Sequence, residues 1–358
     1  MKAITRRLLV GATALVSAGA IAAPLPAVAS ARHVVHHGES IQAAVDAAAP
    51  GDTVIVKRGV YHESVVIQKD GITLRGQGRV TIKPPGDGAG LCNVPGELIG
   101  ICVLPADVNF EDGSYTTRVK NVSITRLSFV GFEGDGIFGF GTENLRVGHV
   151  HAVDDSGYGI ARFDGIGGWI RHSSATGSEE AGIYVGDSPE AHAVVSENRV
   201  WNNGIGVFVR HVHFATVVEN WAKGNCIGIF LLNDGQPEGS GDQKVARNVV
   251  LNNNKVCPGD EEEGTPETSG GGIVLLGSVN NVVRRNLVVG NHGDTLVSGG
   301  IVLISSPFGE EPVGSTGNVV ARNHVRHNSP ADLVEDAGST GNTFRGNNCR
   351  TSTPDGLC

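Results

Sequence analysis

The sequence predicts an all-β protein: a single-stranded right-handed parallel β-helix, or solenoid, with a short N-terminal capping helix. The main observation is an apolar phrase whose first four intervals are 23, 23, 24 and 22 residues, a period typical of a stacked repeat. The phrases are short, rich in β-branched residues and bounded by Gly and Asn, which favours strands over helical turns. They begin at Ile137, Ile160, Ile183, Val207, Ile229, Ile273 and Ile301.

Polar side chains repeat in step with these phrases. A side chain that recurs once per coil lies about 4.8 Å from its equivalents, and stacked amides can hydrogen-bond along the stack. We assign one equivalent position to His149, His172, Asn198, Asn220, Asn248, Asn286 and Asn323. A second series of asparagines follows five residues later, at Asn203, Asn225, Asn253, Asn291 and Asn328.

A secretory signal peptide is predicted at 1–29, ahead of a β-helix domain at 30–358. Basic residues precede an apolar run, and Ala27-Val28-Ala29 fits a cleavage site. Arg6-Arg7 is only a partial twin-arginine pattern, so ordinary and twin-arginine export both stay open. We therefore expect a secreted, extracellular protein with no stable membrane insertion after cleavage.

The 358-residue chain has a formal net charge of −9, and removing a leader with three positive and no negative charges would leave −12. An acidic surface argues against nucleic acid as a partner, because phosphate binding needs clustered Lys and Arg. An acidic polymer would need a local basic patch or a bridging cation.

Six cysteines fit an exported protein. They allow fifteen pairings, of which we expect the three local ones. One would staple an insertion at 84–118, one would link consecutive coils and one would close a C-terminal tail at 345–358. A zinc site is the alternative, but close C-x-x-C spacing is missing. The expected pairs are Cys92–Cys102, Cys226–Cys257 and Cys349–Cys358.

The N-terminal end carries a helix signal and then the first coil. Ser40 can cap a helix from Ile41 to Ala49, with Gly51 just beyond it. An amphipathic helix here would cover the open end of the solenoid.

Several residues of this region resemble the opening of the pectin-lyase-like superfamily: Ser40-Ile41-Gln42-Ala43-Ala44, Gly51-Asp52-Thr53-Val54, Gly59-Val60-Tyr61 and Gly71-Ile72-Thr73-Leu74-Arg75-Gly76. The N-x4-N coils resemble the NosD-type branch of right-handed parallel β-helix repeat proteins. The resemblance covers nearly the whole mature chain and implies the fold. It does not imply one activity, because this fold hosts lyases, hydrolases, epimerases and binding proteins.

Aromatic residues are concentrated in the repeated phrases, although they form only 5% of the chain. If the first residue of a phrase faces the core, the second and fourth face outward. We favour a sugar-stacking platform in a groove flanked by loops 233–243, 257–270 and 305–317; the alternative is that these loops bury the rings. The predicted substrate-binding residues are Phe138, Phe163, Tyr184, Phe208, Phe230 and Asn233.

Polar residues that follow the phrases are the catalytic candidates. Asp164, Asp187 and His211 would stack on neighbouring coils with carboxylates about 5 to 7 Å apart, joined by Arg210 and Arg162. Such carboxylates could hold a cation or share acid and base roles. Because a buried charge needs a partner, we expect Arg162 to pair with Asp164 or Asp187. Solvated turn residues are the alternative.

Other motifs are weaker. Asp154-Asp155 resembles the paired aspartates of polygalacturonase-like hydrolases, but the Gly-His-Gly that should follow is missing. The Arg-x-Pro-x-x-Arg of pectate lyases and the Asp-Pro-His of alginate epimerases are also missing. The acidic loop Asp260 to Glu263 is a candidate Ca²⁺ site, with a solvated loop as the alternative. A Cu(II) site at Ala31-Arg32-His33, which cleavage after Ser30 would create, is a further alternative.

Two functions remain open from the sequence. The first is a carbohydrate-active protein, either a polysaccharide lyase or a hydrolase. If it is a lyase, Arg162, Arg210 or His211 removes the proton from the sugar ring. The second is a non-enzymatic cell-envelope or binding protein that uses the aromatic face as an interface. We expect a polysaccharide or cell-envelope glycan as the partner, and a monomer, although the sequence leaves the oligomeric state open.

Overall fold

The structure, a computed structural model, describes residues 30–86, 88, 90–92, 96–237, 239–259, 266–308 and 311–358. The predicted signal peptide and the candidate Ca²⁺ loop Asp260 to Glu263 lie outside the described residues. The fold is the predicted parallel β-helix, in which each coil contributes strands to three faces. The first and second faces belong to one twenty-stranded sheet, and the third face is an eleven-stranded sheet.

The strands fall into these faces as follows. The first face contains Arg32–Val35, Thr53–His62, Thr73–Lys83, Ser123–Thr125, Arg146–Gly148, Trp169–Arg171, Val194–Ser196, Thr216–Val218, Lys244–Ala246, Val282–Arg284, Val319–Ala321 and Thr343–Arg345. The strands Thr53–His62 and Thr73–Lys83 continue into the second face, which adds Ser128–Val130, His151–Val153, Ser174–Thr176, Arg199–Trp201, Trp221–Lys223, Val249–Leu251, Leu287–Val289 and His324–Arg326. The third face contains Val65–Ile67, Ile101–Val103, Ile137–Phe140, Ile160–Phe163, Ala181–Ser188, Ile205–Val212, Ile227–Leu232, Gly271–Leu276, Gly299–Ile304, Leu333–Glu335 and Ser352–Thr353. Two small pairs complete the set: Val119–Lys120 with Thr142–Glu143, and Val256–Cys257 with Thr268–Ser269.

The register of the third face follows from the repeated phrases. Ile160 pairs with Ile183, Ile183 with Val207, and Val207 with Ile229, all in parallel strands. The first residue of each phrase is fully buried in the core that runs through the coil. Burial of one such side chain contributes about 1.5 to 3 kcal/mol, so a one-residue slip that turned this row outward would be costly.

Two asparagine ladders run along the interior. The backbone and side-chain amides of Asn198 both donate to the Oδ1 of Asn220, at 3.1 and 3.0 Å. Asn203 makes the same pair of bonds to Asn225 at 3.0 and 3.1 Å. A buried amide left without a partner costs about 1 to 3 kcal/mol, so continuous ladders hold the coils in register.

The predicted place of His149 and His172 in the first ladder is wrong by one residue. Arg171 pairs with Ser196, so His172 is equivalent to Glu197 and Ser173 occupies the ladder position. The corner residue has a left-handed backbone, with φ of 55° at His149 and 50° at His172, which turns its side chain outward. The two exposed imidazoles stack with centroids 5.1 Å apart.

The N-terminal end differs in detail from the prediction. The helix is Ile41–Ala47, because Ala48 is extended; Ser40 is its N-cap and accepts the Ala43 N–H at 3.1 Å. The strand Arg32–Val35, which the sequence analysis missed, pairs with the first coil. No helix in the described part of the chain is long and apolar enough to cross a membrane.

The insertion at 84–118 is only partly outside the solenoid. Its segment Ile101–Val103 pairs with Val65–Ile67 and Ile137–Phe140, and so forms a strand of the third face. Its lack of the regular period hid this strand, since long loops flank it on both sides. The six cysteines form the three expected pairs, with Cα–Cα distances of 5.6, 5.9 and 5.5 Å for Cys92–Cys102, Cys226–Cys257 and Cys349–Cys358.

Candidate active site

The aromatic residues form the predicted outward row, but most of that row is covered. Phe138 is 8% exposed, Tyr184 is 0% exposed and Phe230 is 8% exposed, so the sugar-stacking platform is wrong for these three rings. Of the five predicted substrate-binding rings, the other two, Phe163 and Phe208, are half-buried.

Neighbouring segments and the rings themselves bury the row. At one end Ile99 and Leu104 of the insertion join Phe138 in an apolar cluster. At the other end Val297 and Ile304 pack with Phe230. Tyr158 stacks on Tyr184 with ring centroids 4.5 Å apart. The aromatic row is therefore a second apolar core between the third face and its loops.

Arg162 is buried, with only 2% of its surface exposed. Its guanidinium donates to the carbonyl oxygens of Gly167 and Ala191. Burial, assisted by repulsion from Arg118, lowers its pKa to about 10. Within the described residues no salt bridge joins Arg162 to Asp164 or Asp187, so the expected pairing is wrong.

Asp164 has other partners, both from the insertion. The Tyr115 hydroxyl donates to its Oδ2 at 2.6 Å, and Arg118 Nη2 donates to its Oδ1 at 2.7 Å. Arg118 also donates to the Asp164 carbonyl oxygen. Because the insertion breaks the repeat, sequence spacing could not place these partners. Asp164 and Arg162 thus hold a turn together rather than open onto a ligand site.

Three of the predicted catalytic residues do meet. The imidazole of His211 contacts Asp187 Oδ1 through Nδ1, at 2.7 Å, and Asp234 Oδ1 through Nε2. The guanidinium of Arg210 donates to Asp234 Oδ2 from Nε at 2.9 Å and from Nη2 at 2.6 Å. The side chain of His211 is 5% exposed, that of Asp234 16% and that of Asp187 45%, so Asp187 is the open end of this cluster.

A cleft of about 430 Å³ lies over the cluster and is lined by Asp187, Pro189, Arg210, His211 and Gln236. We call it the acid–base cleft. Among the described residues no group of three or more His, Cys, Asp and Glu side chains is arranged to hold a metal ion.

Asp234 is the residue that the sequence analysis missed. Its neighbour Asn233 was predicted to bind substrate, but Asn233 is buried, donates to the Gly277 carbonyl at 3.2 Å and accepts the Gly235 N–H at 3.1 Å. Asn233 therefore shapes the turn that presents Asp234. The available signal was a carboxylate beginning the 233–243 excursion, one residue after a position equivalent to His211.

The backbone conformation aims the cluster out of the sheet. Asp187 and His211 lie near the carboxyl ends of the third-face strands Ala181–Ser188 and Ile205–Val212, with left-handed φ values of 47° and 51°. Gly141 and Gly277 occupy the equivalent position on other coils, with φ of 59° and 67°. Glycine adopts this region freely, whereas other residues do so at some cost. Asp187 and His211 therefore lie at sharp turns of the backbone at the edge of the third face.

Tyr184 and Arg210 complete the environment. The hydroxyl of Tyr184 lies over Gly186, where any side chain would overlap it. That oxygen is buried and has no hydrogen-bond partner among the described residues. Burial, then the charge of Asp187, raises the pKa of Tyr184. Burial, the largest single effect, opposes the charge of Arg210, but the hydrogen bond to Asp234 and the nearby acidic groups together outweigh burial and raise the pKa of Arg210.

This arrangement suits proton transfer. An imidazole that donates from both nitrogens can bond both carboxylates at once, whereas a neutral one donates to only one. A buried carboxylate that orients a histidine, with a second group on the other ring nitrogen, is a general acid–base geometry. Arg210 adds a fixed positive charge with donors that Asp234 does not use.

Known structures share the fold at low sequence identity. The A-module of mannuronan C-5 epimerase AlgE4 from Azotobacter vinelandii is 18% identical to this chain. The match covers 87% of this chain and 91% of the A-module, with a TM-score of 0.57. An alginate lyase from Paenibacillus sp. str. FPU-7 is 15% identical, with coverages of 89% and 99% and a TM-score of 0.55. Pectate lyase Pel9A is 14% identical, with coverages of 90% and 80% and a TM-score of 0.52. These similarities show the fold.

No curated protein matches this sequence. The family described as "Right handed beta helix region" matches residues 62–243, which is about half of the chain. Membership of the NosD-type branch stays a prediction. The coils, the ladders and this match together show that the chain belongs to the right-handed β-helix family.

Proposed function

We propose that the protein is a polysaccharide lyase that acts on a uronate-containing glycan in the acid–base cleft. The observation that carries this proposal is His211 held between an exposed Asp187 and a half-buried Asp234, with Arg210 beside them. The three compared structures are named for mannuronan, alginate and pectate, all of which are uronate polymers, and this supports the substrate class.

Arg210 is suited to bind the uronate carboxylate. Its Nε and one Nη group already donate to Asp234, which fixes the plane of the guanidinium. The other Nη group remains for a ligand, and a charge-assisted hydrogen bond there would neutralise the carboxylate. Neutralisation makes the hydrogen on the adjacent ring carbon more acidic, which the lyase step requires.

Asp187 and His211 would move the proton. The C5–H bond breaks as Asp187, backed by His211, takes the proton; the electron pair forms a C4–C5 double bond and the C4–O bond breaks. The same pair then returns the proton to the departing oxygen, so the enzyme ends unchanged. Asp234 holds the imidazole in place throughout, as a positioning residue.

The other functions have less support. Hydrolysis by an Asp164–Asp187 pair would need both carboxylates free, and Tyr115 and Arg118 occupy Asp164. An interface along the aromatic row would need those rings exposed, and most are buried. Glycan binding without turnover in the same cleft remains the second candidate, because Arg210 and Asp187 could recognise a uronate without reacting.

The test uses the purified full chain with alginate, polygalacturonate and a neutral glucan. We expect ultraviolet absorbance from a new double bond on one uronate polymer, and Asp187→Asn should lower the rate about 10²- to 10⁴-fold. Asp242→Asn is the matched control, since Asp242 contacts His213 at 2.8 Å but does not line the cleft.

Three outcomes would contradict the lyase. New reducing ends without a double bond would indicate hydrolysis. Equal loss in the Asp187→Asn and Asp242→Asn variants would show a general effect on folding. If no polymer were turned over but uronate polymers still bound, and Asp187→Asn weakened that binding, the protein would be a glycan-binding protein and not a lyase.

A further inference from the structure

Charge is unevenly distributed over the surface of the coil. On the first and second faces of five successive coils, residues 53–62, 73–83, 123–130, 146–153 and 169–176, the sequence contains no Asp or Glu. These stretches contain four histidines and eight basic residues, Lys57, Arg58, Arg75, Arg79, Lys83, Arg126, Arg146 and Arg171. We call this area the basic surface. It lies on a chain whose formal net charge is −9.

The basic surface is electrostatically unbalanced. None of its eight Lys and Arg side chains forms a salt bridge with any described residue. The next coil brings Glu197, which pairs with His172 at 3.4 Å, and the surface ends there. Unpaired charges of one sign give a local positive potential that attracts an anionic partner.

A groove of about 740 Å³ runs along the basic surface, at the corner between the first and second faces. Arg126 and His149 are exposed and lie at equivalent corner positions of adjacent coils, about 4.8 Å apart. The side chains that line the groove include Arg79, Arg126, Val130, His149, His151 and Val153.

We propose that this groove is a second polymer-binding site, for an acidic polysaccharide that carries carboxylates along an extended chain. Arginine and histidine supply charge-assisted hydrogen bonds to carboxylates. Val130 and Val153, both half-buried, supply apolar contact for the carbon-bound hydrogens of sugar rings. Because donors repeat from coil to coil, one polymer can bind several of them in succession.

The groove suits a polysaccharide better than a nucleic acid. Single-stranded nucleic acids are bound by positive grooves that also stack bases on aromatic rings. The described residues that line this groove include no Phe, Tyr or Trp. The negative charge of the rest of the molecule also disfavours a densely charged phosphate polymer.

This site does not depend on the proposed lyase activity. The basic surface shares no residue with the acid–base cleft, and it would bind polymer whether or not bonds are broken. If the lyase activity is present, a polymer held at the groove would raise the local concentration of substrate at the cleft.

The experiment measures the affinity of the full chain for alginate of defined length at several salt concentrations. We expect Arg79→Glu/Arg126→Glu to weaken binding at least about tenfold and to flatten its salt dependence, because contacts are lost and repulsions are added. The control, Lys255→Glu/Arg350→Glu, makes the same change in net charge at exposed positions away from the groove, and should stay within about twofold of wild type.

Equal weakening of alginate binding in both double variants would overturn the proposal, because the change in net charge alone would then explain the loss of affinity. Tighter binding to single-stranded DNA of the same length, or equal binding to a neutral glucan, would also overturn it. Turnover of a short oligouronate separates the two sites. It should be unchanged in Arg79→Glu/Arg126→Glu, so failure of the groove and failure of the cleft give different results.

Discussion

Asp164 and Asp187 occupy equivalent positions on consecutive coils, yet their carboxylates have different surroundings. Tyr115 and Arg118 from the insertion bind Asp164. Asp187 is 45% exposed, and within the described part of the chain its one ion-pair partner is His211. The repeat makes the two positions equivalent in the backbone, and the loops that cross each coil decide which carboxylate a ligand can reach.

The loops act in opposite ways at the two coils. The insertion at 84–118 covers Asp164 and part of the aromatic row. The excursion that begins at Asn233 brings Asp234 under His211 and leaves Asp187 open. One loop therefore stabilises a turn, while the other completes the cluster under the acid–base cleft.

The largest expected effect concerns the loop that completes the cluster. Asp234→Asn removes the carboxylate that orients His211 and binds Arg210, so turnover of the uronate polymer should fall about 10²- to 10⁴-fold. Rates over a range of substrate concentrations measure this, and the loss should appear in kcat more than in KM. The activity of Asp242→Asn should remain close to wild type. A loss of the same size in both variants would refute a specific role for Asp234.

The second prediction concerns Asp155, which precedes the strand Ile160–Phe163. Asp155 is fully buried; its Oδ1 accepts the Phe132 N–H at 3.1 Å, and its Oδ2 has no partner among the described residues. Burial, the leading cause, raises its pKa from 3.8 to about 7. A shift of this size corresponds to roughly 4 kcal/mol.

The sign follows from proton linkage. The folded state keeps the proton of Asp155 at pH values where the unfolded state has lost it, so the contribution of Asp155 to stability is greatest below about pH 4 and decreases as the pH rises through about 7. Asp155→Asn should flatten this decrease by about 2 to 3 kcal/mol between pH 5 and pH 8, measured by urea unfolding at those two pH values. Asp154→Asn, at the exposed neighbour, should keep it. Parallel pH curves for wild type and Asp155→Asn would show the shift to be absent.

The sequence specified the solenoid because its signals are periodic. Ile160, Ile183 and Val207 are the inward-facing first residues of three successive apolar phrases, and the asparagines recur once per coil. The register of the coils could therefore be predicted from the sequence alone. The error at His149 arose at a two-residue corner, where a single residue changes which side chain points inward. A left-handed backbone at that position is not visible in the period.

The site was only partly predictable for the opposite reason. Asp187, His211 and Arg210 lie on regular coils, and the period brought them together correctly. Tyr115 and Asp234 lie on segments that break the period, so their positions depend on loop packing. The aromatic row was placed on the correct side of the sheet, but its burial depends on contacts with Ile99 and Leu104, which no spacing rule predicts.

The smallest expected effect tests the comparison between Asp164 and Asp187 directly. Tyr115→Phe removes the hydroxyl that donates to Asp164, which should lower the free energy of unfolding by about 1 kcal/mol. In a double-mutant cycle with Asp164→Ala, measured by urea unfolding, the coupling energy should also be about 1 kcal/mol, whereas the cycle with Asp187→Ala should give a value near zero. Equal coupling in the two cycles would mean that the insertion acts on both coils alike, and the division between a structural and a reactive carboxylate would then have to come from Asp234 alone.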